Sequence, residues 1–356
     1  MKLFRKILLH AALAIGAALF AIPFLWMTAT ALKPIEQTMS MPPTWLPWAY
    51  YLRAPGGELQ PVRLAELVTK ESYLLKPQSP DVPARISSVM PKTGSFTPIP
   101  ASREHPHYAV VNSQGELLAV DASQVVRRIQ PRWENFSGAI KAMHEFPAYL
   151  YNTLALCFLT VFGTVLSSAL TAYAFSCLKW RGRDFLFALC IATMMVPFPV
   201  VMVPLYGLFK GLGLLGTSAP LWIGSFCASA FNVFLLRQFF KGIPKDLIEA
   251  ARIDGCGEFM IFFKIVLPMA KPALKVVALF QFIGTWNDFL GPLIYLTDQK
   301  DFTLALGLQA LQSQHGGTEW HYLMAASLMI TLPVIVIFFF MQKTFIEGIA
   351  MTGMKG

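Results

Sequence analysis

Charge is scarce in this sequence. Asp, Glu, Lys and Arg together supply 14% of its 356 residues, while hydrophobic residues supply 55%. A soluble domain carries about 25% charged residues, so a chain this poor in charge cannot cover its surface with groups that water tolerates. Disordered, collagen-like and coiled-coil classes are excluded by the same arithmetic. Cysteine is sparse and unpatterned. The five, Cys157, Cys177, Cys190, Cys227 and Cys256, show no CxxC spacing, and none falls between Lys33 and Glu145. That excludes a disulfide framework or a zinc site and leaves them as small apolar fillers. His105-Pro-His107 offers two ligands where zinc needs three or four. There is no GxxxxGK[ST] phosphate loop, no GxSxG nucleophile elbow and no HExxH, so neither nucleotide hydrolysis nor metal chemistry is expected of this chain.

What is present is apolar length. Residues 7–32, 146–178, 185–209, 211–236 and 320–342 contain no Asp, Glu, Lys or Arg, and 276–297 contains only Asp288. Each reaches the ~20 residues that cross ~30 Å of hydrocarbon as a helix. Backbone groups in lipid must bond within their own segment, so these are six helices and not open strands. A cleaved signal peptide competes for the first run, given Lys2, Arg5 and Lys6. The run is too long for that, however, and it continues through Phe24, Leu25 and Trp26, which favours a retained helix.

Six spans put both termini on one side. The loops and ends of that side hold 15 basic and 6 acidic residues; the other side holds 14 and 13. The basic side is cytoplasmic by the positive-inside rule. The net charge of +9 is therefore a topology signal and not a nucleic-acid patch.

Residues 33–145 then lie outside, with the composition of a soluble module. Tyr108–Val111, Asn112-Ser-Gln-Gly115 and Glu116–Val120 read as a β-hairpin, and Arg85–Val89 as a further short strand. Prolines 42, 43, 47, 91, 98 and 100 mark its turns and boundaries. The organisation expected is a first helix and flank over 1–48, a β-rich insertion over 49–131 and a helical core over 132–356. Trp133, Phe136, Ile140, Met143 and Phe146 recur on one helical face, which suits either the membrane interface or packing on the β-rich module.

The cytoplasmic loop 241–270 is the most informative segment. Pro244 suits a helix start and Gly255 the position past a helix end. A second helix is expected from about Gly257 to Val266, stopped before Pro268. Small Ala250 and Ala251 permit close approach, Glu249 and Asp254 offer charge, and Leu247, Ile248 and Ile253 offer apolar contact. Those are features of a docking knob and supply no reaction chemistry.

The same segment carries Glu249-Ala250-Ala251, three residues, Gly255, nine residues, Ile265, one residue, Leu267-Pro268. This resembles the coupling motif of permease subunits in bacterial binding-protein-dependent ABC importers. Ala172-Tyr-Ala-Phe175, Met194-Met-Val-Pro197, Leu235-Leu-Arg-Gln-Phe-Phe240 and Trp286-Asn-Asp-Phe-Leu290 narrow the likeness to the maltose-type (MalG-like) sugar permeases over about 1–48 and 131–356. The external β-module departs from that pattern. The resemblance implies an all-α integral permease in the bacterial inner membrane, with a second homologous permease, a cytoplasmic ATPase dimer and a periplasmic binding protein as partners. It implies that ATP and Mg belong to the ATPase, with no cofactor on this chain. It also implies that Glu249 seats in a cleft of the ATPase, and that the tail Gly353, Met354, Lys355 and Gly356 reaches between the two ATPases. Within the family, another polar solute such as a glycerol phosphate is the alternative to a sugar.

Trp286, Asn287 and Asp288 are candidates for the translocation path or a gate, because a charge inside a span faces a cavity or a partner by default. Stacking plus hydrogen bonding suits sugar; holding span five against a neighbour is the competing reading. The loop 297–320, with Gln309, Gln312, Gln314 and His315, resembles one that probes the binding protein, against the alternative of a solvated connector. Two other classes fit less well. A membrane enzyme would show clustered acids or histidines at a membrane boundary. An ion-coupled secondary transporter would show an internal repeat or several intramembrane charges.

Overall fold

A computed structural model describes residues 2–39, 43–53, 57–64, 84–85, 107–111, 117–121, 125–312 and 318–353. The chain divides into two compact units. One comprises Met1–Ala139 and Glu319–Leu328, the other Ile140–Thr318 and Met329–Gly356.

The first unit opens with α1 (Lys2–Ala31), a helix apolar enough to span a bilayer. It carries a six-stranded sheet of β1 (Trp48–Arg53), β2 (Leu59–Leu64), β3 (Ala84–Arg85), β4 (His107–Val111), β5 (Leu117–Asp121) and β6 (Val125–Ile129). Their order is β3-β5-β4-β2-β1-β6, antiparallel throughout. The expected hairpin is present, with Val111 opposite Leu117. Its turn, and residues 86–89 of the expected third strand, lie outside the described residues. β2 was not evident from the sequence, nor were the strands nearest the termini of the module, β1 and β6. Tyr50 and Arg127 face each other across them, too polar and aromatic a pair to give clean alternation.

The end of α1 is held by a distant side chain. The Asn135 carboxamide, on α2 (Glu134–Ala142), donates to the carbonyls of Ala31 and Lys33, both at 2.8 Å. The Ala31 carbonyl is one that the helix C-terminus leaves without a partner, and Lys33 lies two residues beyond it. Lys33 is buried, its ammonium 4.2 Å from the Trp26 ring and donating to the Thr44 carbonyl. Of the expected apolar face, Trp133 is exposed and stacks on Phe136, Ile140 is exposed and Met143 is buried; the buried Asn135 and Ala139 lie off that face.

The second unit is built on α3 (Phe146–Ser176), an unbroken 31-residue span. It packs against α7 (Ala230–Phe240), α11 (Lys271–Trp286) and α13 (Leu304–Ala310). Between them run α4 (Arg183–Ala192), α5 (Phe198–Gly211), α6 (Ala219–Trp222), α8 (Lys245–Ile253), α9 (Glu258–Ile261), α10 (Leu267–Met269) and α12 (Leu290–Tyr295); α14 (Trp320–Gly353) follows. Among the described residues four stretches are long and apolar enough to span: α1, α3, Ala219–Phe240, which is interrupted at Ala228 and Ser229 between α6 and α7, and Trp320–Gln342.

The other two expected spans are interrupted. Arg183–Met195 and Phe198–Gly211 meet at a 97° bend. Val196 there is extended, as the steric demand of Pro197 on its predecessor requires. The stretch 276–297 becomes α11 and α12, separated at Asn287–Phe289.

Replacing Asn135 by Ala strands two buried carbonyls. A loss of about 1–3 kcal/mol is expected, read as a lower thermal midpoint of the purified protein in mild detergent. Asn135→Gln is expected to recover only part of it.

Candidate functional site

The loop after α7 forms two short helical pieces whose inner faces belong to the core. Ile248 and Ala251 of α8, three residues apart on one face, are buried in one cluster with Ile261, Phe262 and Val266 and with Ala172, Tyr173, Leu236 and Phe240 of the spans. The outer face of α8 presents Glu249, Ala250 and Leu247, all exposed, and Ile253 at 87% exposure. Phe259, at 76% exposure, and Met260 and Phe263 extend the apolar surface.

Local chemistry explains the turn. Pro244 sits one residue before the helix, and Asp254 closes it. Gly255 then adopts φ +79°, the left-handed conformation glycine tolerates best. The Cys256 N–H donates to the Ala251 carbonyl at 2.9 Å and the Gly255 N–H to the Arg252 carbonyl at 3.1 Å. That pair of bonds is the Schellman arrangement, which satisfies terminal carbonyls and reverses the chain.

The second helix does not stop before Pro268 as expected. It runs on from Glu258 through a π-helical turn at Phe262–Val266 into α10, which contains Pro268. Proline has no N–H to return to the carbonyl four residues back. Widening the preceding turn to i→i+5 bonding lets the helix continue through it.

A three-residue brace fastens this knob, and sequence reasoning missed it. Arg252 Nε donates to Glu258 Oε1 at 2.8 Å and its Nη2 to Oε2 at 3.3 Å. The Tyr173 hydroxyl donates to the same Oε2 at 2.5 Å. Arg252 Nη2 also reaches the Cys177 carbonyl at 3.4 Å. Glu258 thereby joins α8, α9 and the end of α3. The only sequence signal was an Arg and a Glu six residues apart across the Gly255 turn. A second anchor lies alongside. Buried Arg237 of α7 donates to the Phe175 carbonyl at 3.1 Å, contacts Asp184 at 3.4 Å and lies 3.8 Å over the Phe187 ring.

The other candidates are placed as follows. Asp254 and Pro268 are exposed, Ile265 and Leu267 half-buried. Trp286 is buried, stacks on Phe282 and donates from Nε1 to the Ile330 carbonyl at 3.0 Å. Asn287 Nδ2 donates to the Ile283 carbonyl at 2.9 Å, and Asp288 Oδ1 accepts from the Gly291 N–H at 3.1 Å. All three side chains are engaged at the break between α11 and α12.

The loop after α12 is tied to α3. Asn152 donates to the carbonyls of Lys300 and Phe302, and Gln299 donates to the Tyr149 hydroxyl. Gln309 and Gln312 are exposed. Gln314 and His315 lie outside the described residues, as do Met354, Lys355 and Gly356; Gly353 ends α14.

The Arg252 guanidinium beside Glu258 holds the Glu258 carboxyl below its usual value; burial opposes this, and the Tyr173 hydroxyl adds to the lowering. A depressed folded pKa contributes stability that is complete above the unfolded value, about 4.3. That contribution is lost as pH falls through the lower folded value. Arg252→Met is expected to move the loss upward into the ordinary carboxylate range. Hydrogen exchange of α8 and α9 across pH 3–6, compared with wild type, reads the direction of the shift.

Comparison with known proteins places this arrangement. Residues 163–350 match the family described as "Binding-protein-dependent transport system inner membrane component". The arabinooligosaccharides transport system permease protein AraQ of Bacillus subtilis is 36% identical over 241 residues, covering 68% of this chain and 85% of AraQ. The sn-glycerol-3-phosphate transport system permease protein UgpE of Yersinia pestis is 33% identical over 223 residues, 61% of this chain and 79% of UgpE. A crystal structure of a bacterial ABC transporter involved in the import of the acidic polysaccharide alginate aligns with a TM-score of 0.55 at 25% identity, covering 60% of this chain and 80% of that one. The chain is a transport subunit and not an enzyme, and it belongs to the family of inner-membrane, multi-pass permease components of binding-protein-dependent ABC importers.

Proposed function

We propose that this permease imports a sugar or oligosaccharide, forming half of the translocation pathway beside a second homologous permease. Both termini are cytoplasmic, as is loop 241–270, and a dimeric ATPase that carries ATP and Mg docks there. A periplasmic binding protein delivers the solute to the opposite face. The carbohydrate assignment rests on the likeness to AraQ and to the alginate importer. A glycerol phosphate is the competing solute on the likeness to UgpE. The division into 1–48, 49–131 and 132–356 assigns the import machinery to the last part, and the β-rich insertion faces the binding protein.

One observation carries the coupling assignment. The knob is apolar and exposed outside, at Ile253 and Phe259, yet it is braced inside by Glu258. Exposed apolar patches on a braced element mark protein contact. Glu249 stands on its outer face and seats in the ATPase. Asp254 and Gly255 set the reversal, and Ile265, Leu267 and Pro268 shape the second helix. Trp286, Asn287 and Asp288 form a hinge or gate in span five. The tail Gly353–Gly356 reaches the ATPases.

Glu249→Ala tests this directly. Because the side chain is exposed, insertion and thermal stability are expected to stay within about 0.5 kcal/mol of wild type. ATPase activity stimulated by loaded binding protein, in proteoliposomes of the whole complex, is expected to fall at least tenfold. Stimulation at the wild-type rate would remove the coupling assignment. Uptake of labelled arabino-oligosaccharide against glycerol 3-phosphate separates the two solute classes.

A further inference from the structure

Between α3 and α11 the surface of the second unit is grooved. The groove encloses about 510 Å³, and its walls include Phe158, Phe162, Val165 and Leu274, with Lys271 and Lys275 also on its lining. The hydroxyls of Thr160 and Thr285 meet at 2.9 Å, while Tyr173 meets Glu258 at the other end of α3. Glu258 lies on α9, which leads through α10 into the start of α11, so the two helices run antiparallel. Lys271 and Thr285 sit about 21 Å apart along α11, so the lysines mark the end nearest the coupling knob. Along α3 the lining extends from Phe158 to Ala169, about 16 Å. That is about half the ~30 Å hydrocarbon thickness, the depth of one leaflet.

Lys271 and Lys275 are four residues apart on one helical face, where like charges repel. Both are exposed. Neither takes part in the ion pairs formed among the described residues, and no acid lines the groove.

We propose that the groove holds an acyl chain of an anionic phospholipid of the cytoplasmic leaflet, its phosphate bridging Lys271 and Lys275. The choice of leaflet rests on the cytoplasmic placement of the coupling knob; the ligand class does not. The match is in polarity and in length. A phospholipid is anionic at one end and apolar for one leaflet beyond it, as the groove is cationic at one end and apolar for one leaflet beyond. A spanning helix of a partner permease would be two leaflets long and would need an acid to meet the lysine pair. Basic pockets between spans on the cytoplasmic side are a recurring solution for anionic headgroups. Lysine stems reach such headgroups while their methylenes lie on apolar surface.

The test uses the whole importer complex, purified in mild detergent after growth and then exchanged into nanodiscs of phosphatidylglycerol and phosphatidylcholine in equal parts. Lipid retained through a second detergent step is counted by mass spectrometry. Wild type is expected to retain phosphatidylglycerol over phosphatidylcholine by at least threefold. Lys271→Gln with Lys275→Gln is expected to abolish the preference, and Lys271→Arg with Lys275→Arg to keep it. Equal retention of both lipids by wild type, or a preference unchanged in the double glutamine variant, would overturn the proposal. A photoreactive benzoylphenylalanine at Phe162, whose exposed ring leaves room for the added benzoyl group, guards against a misfolded variant. Its cross-link to lipid supports the proposal, and its cross-link to the second permease in place of lipid overturns it.

Discussion

Inside hydrocarbon a peptide group finds no water, so every N–H and C=O must be bonded by protein. Uninterrupted helix meets that demand by itself, as α3 does over 31 residues. The second unit nevertheless breaks its helices repeatedly, and at several of the breaks a side chain or a change of helical pitch replaces the missing bond. At the break between α6 and α7, Ser167 Oγ accepts from the Ala228 N–H at 3.1 Å and donates to the Ser225 carbonyl at 3.0 Å, while Ser168 accepts from the Ser229 N–H. Gly163 lets this segment approach α3, since a Cβ there would stand 2.8 Å from the Phe226 ring. Where α11 ends, Asn287 and Asp288 bond the freed backbone. At Pro268 the turn widens to π. The unit is organised around α3 because that helix is whole, and it lends its serines to the ones that are not.

The same constraint explains how much of the fold was legible in the sequence. Runs free of charge announce spans, because a charge in hydrocarbon is costly at any position along them. Breaks within those runs leave weaker traces. Pro197 accounts for the 97° bend after the fact, but Pro204 sits inside α5 with no such break. A proline alone therefore does not say whether the helix stops. The same ambiguity made Pro268 look like a stop. Strands β1 and β6 of the β-rich module were hidden for a different reason. In β1, Tyr50 and Tyr51 alternate in orientation but not in hydrophobicity, so the period-2 signal is absent even though Leu52 and Val62 form a small core.

The candidate site was legible in its motif and illegible in its support. Gly255 was readable because a left-handed residue past a helix end has few alternatives, and its φ of +79° follows. Ile248 was read as an outward contact residue but points into the core with Ala251. Amphipathicity fixes that two faces differ and leaves open which faces a partner when both carry apolar groups, as here with Ile248 inside and Ile253 outside. The Tyr173–Glu258 bond joins residues 85 apart in sequence, and no local pattern encodes it.

That long-range bond decides what the knob can do mechanically. A two-helix loop attached only through its ends would swing, and a load on its outer face would be absorbed by rotation. Here the load has two paths inward. Ile248 and Ala251 press on Phe240 and Tyr173 within one packed cluster, and packed interiors transmit displacement with little compression. Arg252 and Glu258 add a directional link to the end of α3. An exposed pair of this kind is worth little in stability, so its value lies in fixing orientation. With Arg237 clasping the end of α3 from the α7 side, the knob and two spans move as one body, and displacement of the knob is delivered to α3, which crosses the unit without a break.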